Sequence, residues 1–158
     1  MPYGWAGTTI EVDLSQGKIE KRPNDTGLTD SYLAGKGVNA KLLWDRVPPE
    51  VDAFSPDNLF IVSAGLFTGT TIPGASHTCI TYKSPVTGLH CYSSLGGFFA
   101  AELKFAGYDT IIFSGKSPTP VYLWIEDNHV EICDASHLWG KGSHETQRLL
   151  REELELDK

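Results

Sequence analysis

Three short stretches hold residue types at spacings that could carry chemistry. The segment "GLFTGTTIPGAS", residues 65–76, sets Gly65, Gly69 and Gly74 among Thr68, Thr70, Thr71 and Ser76, and it runs straight into His77. The run Ser93-Ser94-Leu95-Gly96-Gly97 stands directly before a segment of helical pattern. A helix N-terminus offers unpaired amides and partial positive charge, and glycine lets main chain come close to a ligand, so this run suits a phosphate or another anion. A tight turn is the other reading, since each glycine at a helix mouth weakens it by roughly 1 kcal/mol relative to alanine. Neither G-x-x-x-x-G-K-[ST] nor G-x-G-x-x-G occurs, which excludes a Walker loop and a dinucleotide fingerprint. The third stretch pairs His77 with Cys79, which share a face if the segment is a strand. A cysteine–histidine hydrolase would need an oxyanion hole and an orienting acid as well, and the sequence supplies neither. Cys79, Cys91 and Cys133 make an odd set without C-x-x-C spacing. They read as small hydrophobes in β-rich runs rather than a disulfide framework or a self-contained zinc or iron–sulfur site.

The elements that must position these stretches are mostly strands. "TTIEVDLSQGKIEKR" alternates on either side of Ser15-Gln16-Gly17 and reads as a hairpin. "LTDSYLAGKGVNAKLLWDRV" has helical spacing at Leu33, Val38, Leu42 and Leu43, broken by Gly35-Lys36-Gly37 and stopped before Pro48-Pro49. "NLFIVSAG" is a short apolar strand, and residues 65–76 form a loop. "HTCITYKS" and "LHCYSS" read as strands joined through Ser84–Gly88, residues 97–106 as a helix, and "DTIIFSG" as a buried strand. A second hairpin, "PVYLWIEDNHVEICDA", turns at Asp127-Asn128. A last helix follows, with Ser143 as its cap and Leu149, Leu150 and Leu154 on its apolar side. Strands and helices are segregated rather than alternating, so the class is α+β, with mixed or antiparallel sheets. Hairpin, helix and strand in the first third reappear as hairpin and helix in the last third, without the closing strand. Two halves of one unit are expected, the second cut short.

The 158 residues suffice for one domain, and 41% apolar residues with 11% aromatics are those of a globular chain. A net charge of −7, from 13 basic and 20 acidic residues, argues against nucleic acid as a partner. Neither a signal peptide nor an apolar run of membrane-span length is present, so the sequence reads as cytoplasmic and free of the membrane.

Five stretches together resemble one family. They are "LLWDRVPPEVDAFSPDNLFIV", "GLFTGTTIPGAS", "KSPVTG", "GGFFAAELKFAGYDTIIFSGK" and "PVYLWIEDNHVEICDASHLWGKG". In order, and over essentially all of residues 1–158, they are similar to the N-terminal domain of the aldehyde:ferredoxin oxidoreductases. "AKLLWDRVPPEV" and "SSLGGFFAAELKFAGYD" look closest to the branch that contains the tungsten subunit of benzoyl-coenzyme A reductase.

The resemblance implies a tungsten (rarely molybdenum) bis-pterin cofactor with a bridging magnesium ion and a 4Fe-4S cluster in the full-length enzyme. It implies aldehyde oxidation with ferredoxin, or benzoyl-CoA-type reduction. The N-terminal domain of such enzymes forms a base under the pterins. Carried over position by position, the backbone carbonyl of Ser94 would be a magnesium ligand, and Leu95, Gly96 and Gly97 would let main chain approach the cofactor. A carbonyl ligand requires no particular side chain, so serine where the family commonly has asparagine is compatible with that role. His77 stands where the family usually has an arginine that reaches between pterin and cluster. Histidine is shorter and only partly charged near neutrality, so it could keep one hydrogen bond to pterin or none. The cluster cysteines, catalytic residues and second pterin-binding segment belong to C-terminal domains that these residues do not include. The isolated chain is therefore expected to be inactive and to carry no cofactor. Its partners would be the C-terminal domains or a partner subunit, an electron-transfer protein such as ferredoxin, and further copies of itself. The alternative is a stand-alone assembly or phosphate-ligand module without redox chemistry.

Overall fold

The computed structural model describes residues 4–156. Two strands open the fold, β1 (Thr8–Asp13) and β2 (Lys18–Pro23), paired antiparallel about the Ser15-Gln16-Gly17 turn. Helices α1 (Thr26–Tyr32) and α2 (Lys36–Arg46) follow. The Asp25 carboxylate caps α1 by accepting from the Gly27 and Leu28 amides at 2.8 and 3.3 Å. Strands β3 (Phe60–Ala64), β4 (Thr78–Lys83) and β5 (His90–Leu95) lead to α3 (Phe99–Phe105) and then β6 (Thr110–Ser114). The hairpin of β7 (Val121–Glu126) and β8 (His129–Asp134) and the helix α4 (Ser143–Glu153) complete the chain.

Six strands form one sheet in the order β2-β1-β6-β3-β4-β5, while β7 and β8 form a separate two-stranded sheet. Only the pairing of β1 with β6 is parallel among the described residues; its neighbours are antiparallel. The expected α+β class with mixed and antiparallel sheets holds. The two hairpins occupy different settings: the first is built into the large sheet, and the second packs on one of its faces.

Alternation along the strands produces two cores. On one face Ile10, Val12 and Ile111 meet Leu103 and Tyr108, with Leu123, Ile125, Val130 and Ile132 of the second hairpin laid against them. On the other face Ile61, Ile112 and Leu59 pack under Leu43 and Val47 at the end of α2. Adjacent residues Ile111 and Ile112 thus serve opposite cores.

Two buried polar groups fix the register of these layers. Asn39 of α2 is fully buried; its amide donates to the Cys79 carbonyl at 3.3 Å and to Thr81 Oγ1 at 3.4 Å, and its Oδ1 accepts from Ser63 Oγ at 2.6 Å. Replacing Asn39 by alanine removes these partners and leaves the Ser63 hydroxyl buried without an acceptor. A loss of about 2 kcal/mol in unfolding free energy is expected, read from urea titration of the variant against the parent chain. Asp109, at the start of β6, is also buried; its carboxylate accepts from the Ala6 amide at 3.0 Å, from the Gly7 amide and from Asn24 Nδ2 at 2.8 Å.

Two local expectations shift. The helix expected over residues 97–106 begins only at Phe99, because Gly97 takes φ +106° and cannot belong to it. Ser143 is the first residue of α4 rather than its cap; Gly142 holds the cap position, and no side chain bonds to the helix end.

Candidate functional site

The two edges of the large sheet differ in chemistry. Strand β2 carries Lys18, Glu20, Lys21 and Arg22 and ends on Pro23, a composition that discourages further strand pairing. Strand β5, at the opposite edge, has the sequence His90-Cys91-Tyr92-Ser93-Ser94-Leu95 without an acidic residue, lysine or arginine. Its last four residues are exposed. An edge strand turns alternate amides and carbonyls away from its neighbour, so β5 presents main-chain groups to whatever lies beyond it.

The pairing of β4 with β5 brings the expected residues together. Cys79 faces Ser94 and Thr78 faces Leu95. One step further along this antiparallel ladder, His77 comes level with Gly96. At the end of the ladder Ser76 Oγ donates to the Gly97 carbonyl and so joins the loop of residues 65–76 to the glycine pair. The loop closes back on the same place: the Gly65 amide donates to the His77 carbonyl at 3.1 Å. Thr68, 2% exposed, donates from Oγ1 to the Ala75 carbonyl at 2.8 Å, with the His77 carbonyl at 3.4 Å. His77, Ser94, Leu95, Gly96 and Gly97 therefore form one continuous lip at the end of the sheet. The His77 imidazole is exposed and makes no hydrogen bond or ion pair with the described residues.

The backbone of the lip is shaped for close approach. At Gly97, φ of +106° lies where side chains are strained, and an added Cβ would meet nothing within 4 Å. A Cβ on Gly96 would find only the Ser76 carbonyl oxygen, at 3.9 Å. Both glycines thus face open space rather than packed protein. Around them lie exposed aromatic groups: Phe98 is 82% exposed, and Phe67 and Phe99 are about half exposed. Leu66 beside them is half-buried and Leu95 is exposed.

The cysteine–histidine reading fails on this geometry. Cys79 is buried, its thiol lies near Thr81 Oγ1, and burial pushes its pKa up, so it is an inert core thiol. All three cysteines are free, as their sequence context implies. No three His, Cys, Asp or Glu side chains converge as a metal-ligand group among the described residues. What this end of the molecule offers a ligand is backbone, one imidazole and apolar rings. Ser76 and Thr68, which tie the loop to the lip, were seen in the sequence only as members of a small-residue run; nothing in their spacing marked them as its two ties.

The family profile of the aldehyde ferredoxin oxidoreductase N-terminal domain matches residues 9–158. The chain belongs to this family. It is 44% identical to a tungsten-containing aldehyde ferredoxin oxidoreductase of Pyrococcus furiosus over 99% of its own length and 26% of that protein's. It is 34% identical to the WOR-like subunit of an aliphatic sulfonate oxidoreductase from the same organism, over 96% of this chain and 24% of that one. Among solved structures it superimposes with a TM-score of 0.97 and 52% identity on an active-site complex of benzoyl-coenzyme A reductase bound to 1,5-dienoyl-CoA. That match covers all of this chain and 24% of the other. The chain thus spans about a quarter of the length of its relatives. No helix among the described residues is long and apolar enough to cross a membrane.

Proposed function

We propose that this chain is the cofactor-cradling N-terminal domain, residues 1–158, of a tungsten–bis-pterin oxidoreductase, and that the lip at the end of β4 and β5 is the cradle. The observation that carries the reading is the pair Gly96 and Gly97, whose missing side chains face open space beside an unpartnered imidazole. Such a surface fits a large planar group carrying phosphates, because main-chain amides and carbonyls can reach it without side-chain interference. The donor set fits as well: a hard cation such as magnesium takes backbone carbonyl oxygens, and Ser94 lies on an edge strand that presents them.

When bound, the group supplies the redox chemistry: aldehyde oxidation to the carboxylic acid with ferredoxin as electron acceptor, or benzoyl-CoA-type reduction. The residues of this chain hold and orient it. Ser94 would offer its carbonyl to the bridging magnesium, and Leu95, Gly96 and Gly97 would carry main chain along the pterin. His77 would donate one hydrogen bond from its ring. The exposed rings of Phe67, Phe98 and Phe99 would exclude water where further polypeptide closes over the site. The cluster cysteines and the residues that select substrate lie in C-terminal domains or a partner subunit.

Elemental and pterin analysis tests the assignment. The whole enzyme, purified without air, is expected to hold tungsten and pterin, whereas these residues alone hold neither, because about half of the contacts would be missing. A whole enzyme without tungsten, or an isolated chain with stoichiometric tungsten, contradicts the reading. The apolar lip also predicts concentration-dependent self-association of the isolated chain in sedimentation velocity. Replacing both Phe98 and Phe99 by serine is expected to return it to a monomer; an unchanged sedimentation coefficient would count against the lip as the sticky face.

A further inference from the structure

We propose that Lys104 is the positioning residue of the cradle, its ammonium setting the loop of residues 65–77 and, through that loop, the place of His77. The inference rests on the reading of the lip as the cofactor site. A lysine ammonium has three N–H donors. Here they meet three main-chain acceptors: the Gly4 carbonyl, the Gly65 carbonyl at 3.2 Å and the Leu66 carbonyl at 2.7 Å. Lys104 forms no salt bridge among the described residues, so carbonyl dipoles alone answer its charge at contact distance. Burial lowers its pKa, opposed by the nearby charge of Asp109.

The place where it grips is decisive. Gly65 is the residue at which the chain leaves β3, and both of its backbone groups are engaged. Its carbonyl accepts from Lys104 and from the Thr68 amide at 3.1 Å, while its amide donates to the His77 carbonyl at 3.1 Å. A displacement of Gly65 therefore moves His77 with it. Between these ends the loop lies on the same helix: a Cβ on Gly69 would come within 3.2 Å of the Phe105 ring. At the far end Ser76 bonds to the Gly97 carbonyl, just ahead of α3. Helix α3 thus holds the loop at its start through Lys104, at its middle through Phe105, and at its end through the turn that precedes the helix. Of its three acceptors, the adjacent Gly65 and Leu66 carbonyls lie at the very start of the loop, and Gly65 is the residue whose amide holds the His77 carbonyl.

Amide hydrogen exchange in this chain, followed by NMR, tests the clamp without any cofactor. In Lys104→Met the Gly65 and Thr68 amides are expected to exchange faster by about ten-fold or more through local opening, while the Ile111 and Ile112 amides of the central strand keep their rates. The imidazole signals of His77 are expected to shift. Lys104→Arg, which keeps a cation and several donors, is expected to restore most of the protection. Uniform acceleration across loop and sheet, or no change in the loop, overturns the proposal. If Lys104→Met fails to fold, the parent chain carries the test: a slowly exchanging ammonium signal from Lys104 supports the clamp, and its absence overturns it. In the whole enzyme the same substitution is expected to lower bound tungsten several-fold. A loosened loop with undiminished tungsten would leave the clamp standing and overturn the cofactor reading of His77 instead.

Discussion

Asp109→Ala is expected to lower the unfolding free energy by about 3 kcal/mol, which for a domain of this size corresponds to a fall of roughly 10 °C in melting temperature. The carboxylate gathers three donors, the Ala6 and Gly7 amides and the Asn24 side chain, at a position 1% exposed. Truncation leaves all three without their acceptor at the junction of the N-terminal segment, the strand β2 exit and β6. Hydrogen bonds to a charged acceptor contribute about 1.5–3 kcal/mol each, and partial access of water to the freed groups reduces their sum. Asp109→Asn keeps one acceptor oxygen and is expected to lose about half as much. Guanidinium titrations of the two variants check the ranking; a loss under about 1 kcal/mol for alanine would mean that the N-terminal segment is held by something else.

Asp109 also shows where the sequence stops being informative. It opens the run "DTIIFSG" that reads as a buried strand, and nothing in the neighbouring residues marks a lone acid there as the acceptor for three donors. Its meaning depends on donors more than eighty positions away. The local elements, by contrast, follow from neighbouring residues. Period-two alternation around Ser15-Gln16-Gly17 and Asp127-Asn128 produces the two hairpins, while the break between α1 and α2 falls at Leu33-Ala34-Gly35, earlier than Gly35-Lys36-Gly37, because Lys36 and Gly37 already belong to α2. Strand order does not follow in this way. That β6 enters between β1 and β3, parallel to one and antiparallel to the other, is decided by which faces of Ile111 and Ile112 find a partner layer. The site divides similarly. The glycine pair and the loop of residues 65–76 were visible from their composition, whereas Lys104 was hidden as an ordinary helix lysine.

Gly96→Val carries the largest expected effect on function. A Cβ on Gly96 would meet nothing closer than the Ser76 carbonyl oxygen at 3.9 Å and would face open space, so the isolated chain carrying valine should fold with little loss of stability. In the whole enzyme the same branched side chain would stand where main chain and cofactor meet, and nearly complete loss of bound tungsten is expected. Ser94 would act through its carbonyl, so Ser94→Ala should be close to silent. Ser94→Pro, which fixes φ and removes an N–H, should disturb both strand and site. His77→Ala should fall between these, since a single ring hydrogen bond is lost. The order depends on which atom makes each contact, not on how polar each side chain is.

Tungsten per polypeptide in the whole enzyme, compared between Gly96→Val and Ser94→Ala, tests the backbone cradle most directly, with the melting temperature of the isolated chain as the control for folding. The account predicts little tungsten in Gly96→Val, near-parental tungsten in Ser94→Ala, and melting temperatures within a few degrees of the parent for both. Full tungsten in Gly96→Val together with its loss in Ser94→Ala would contradict it.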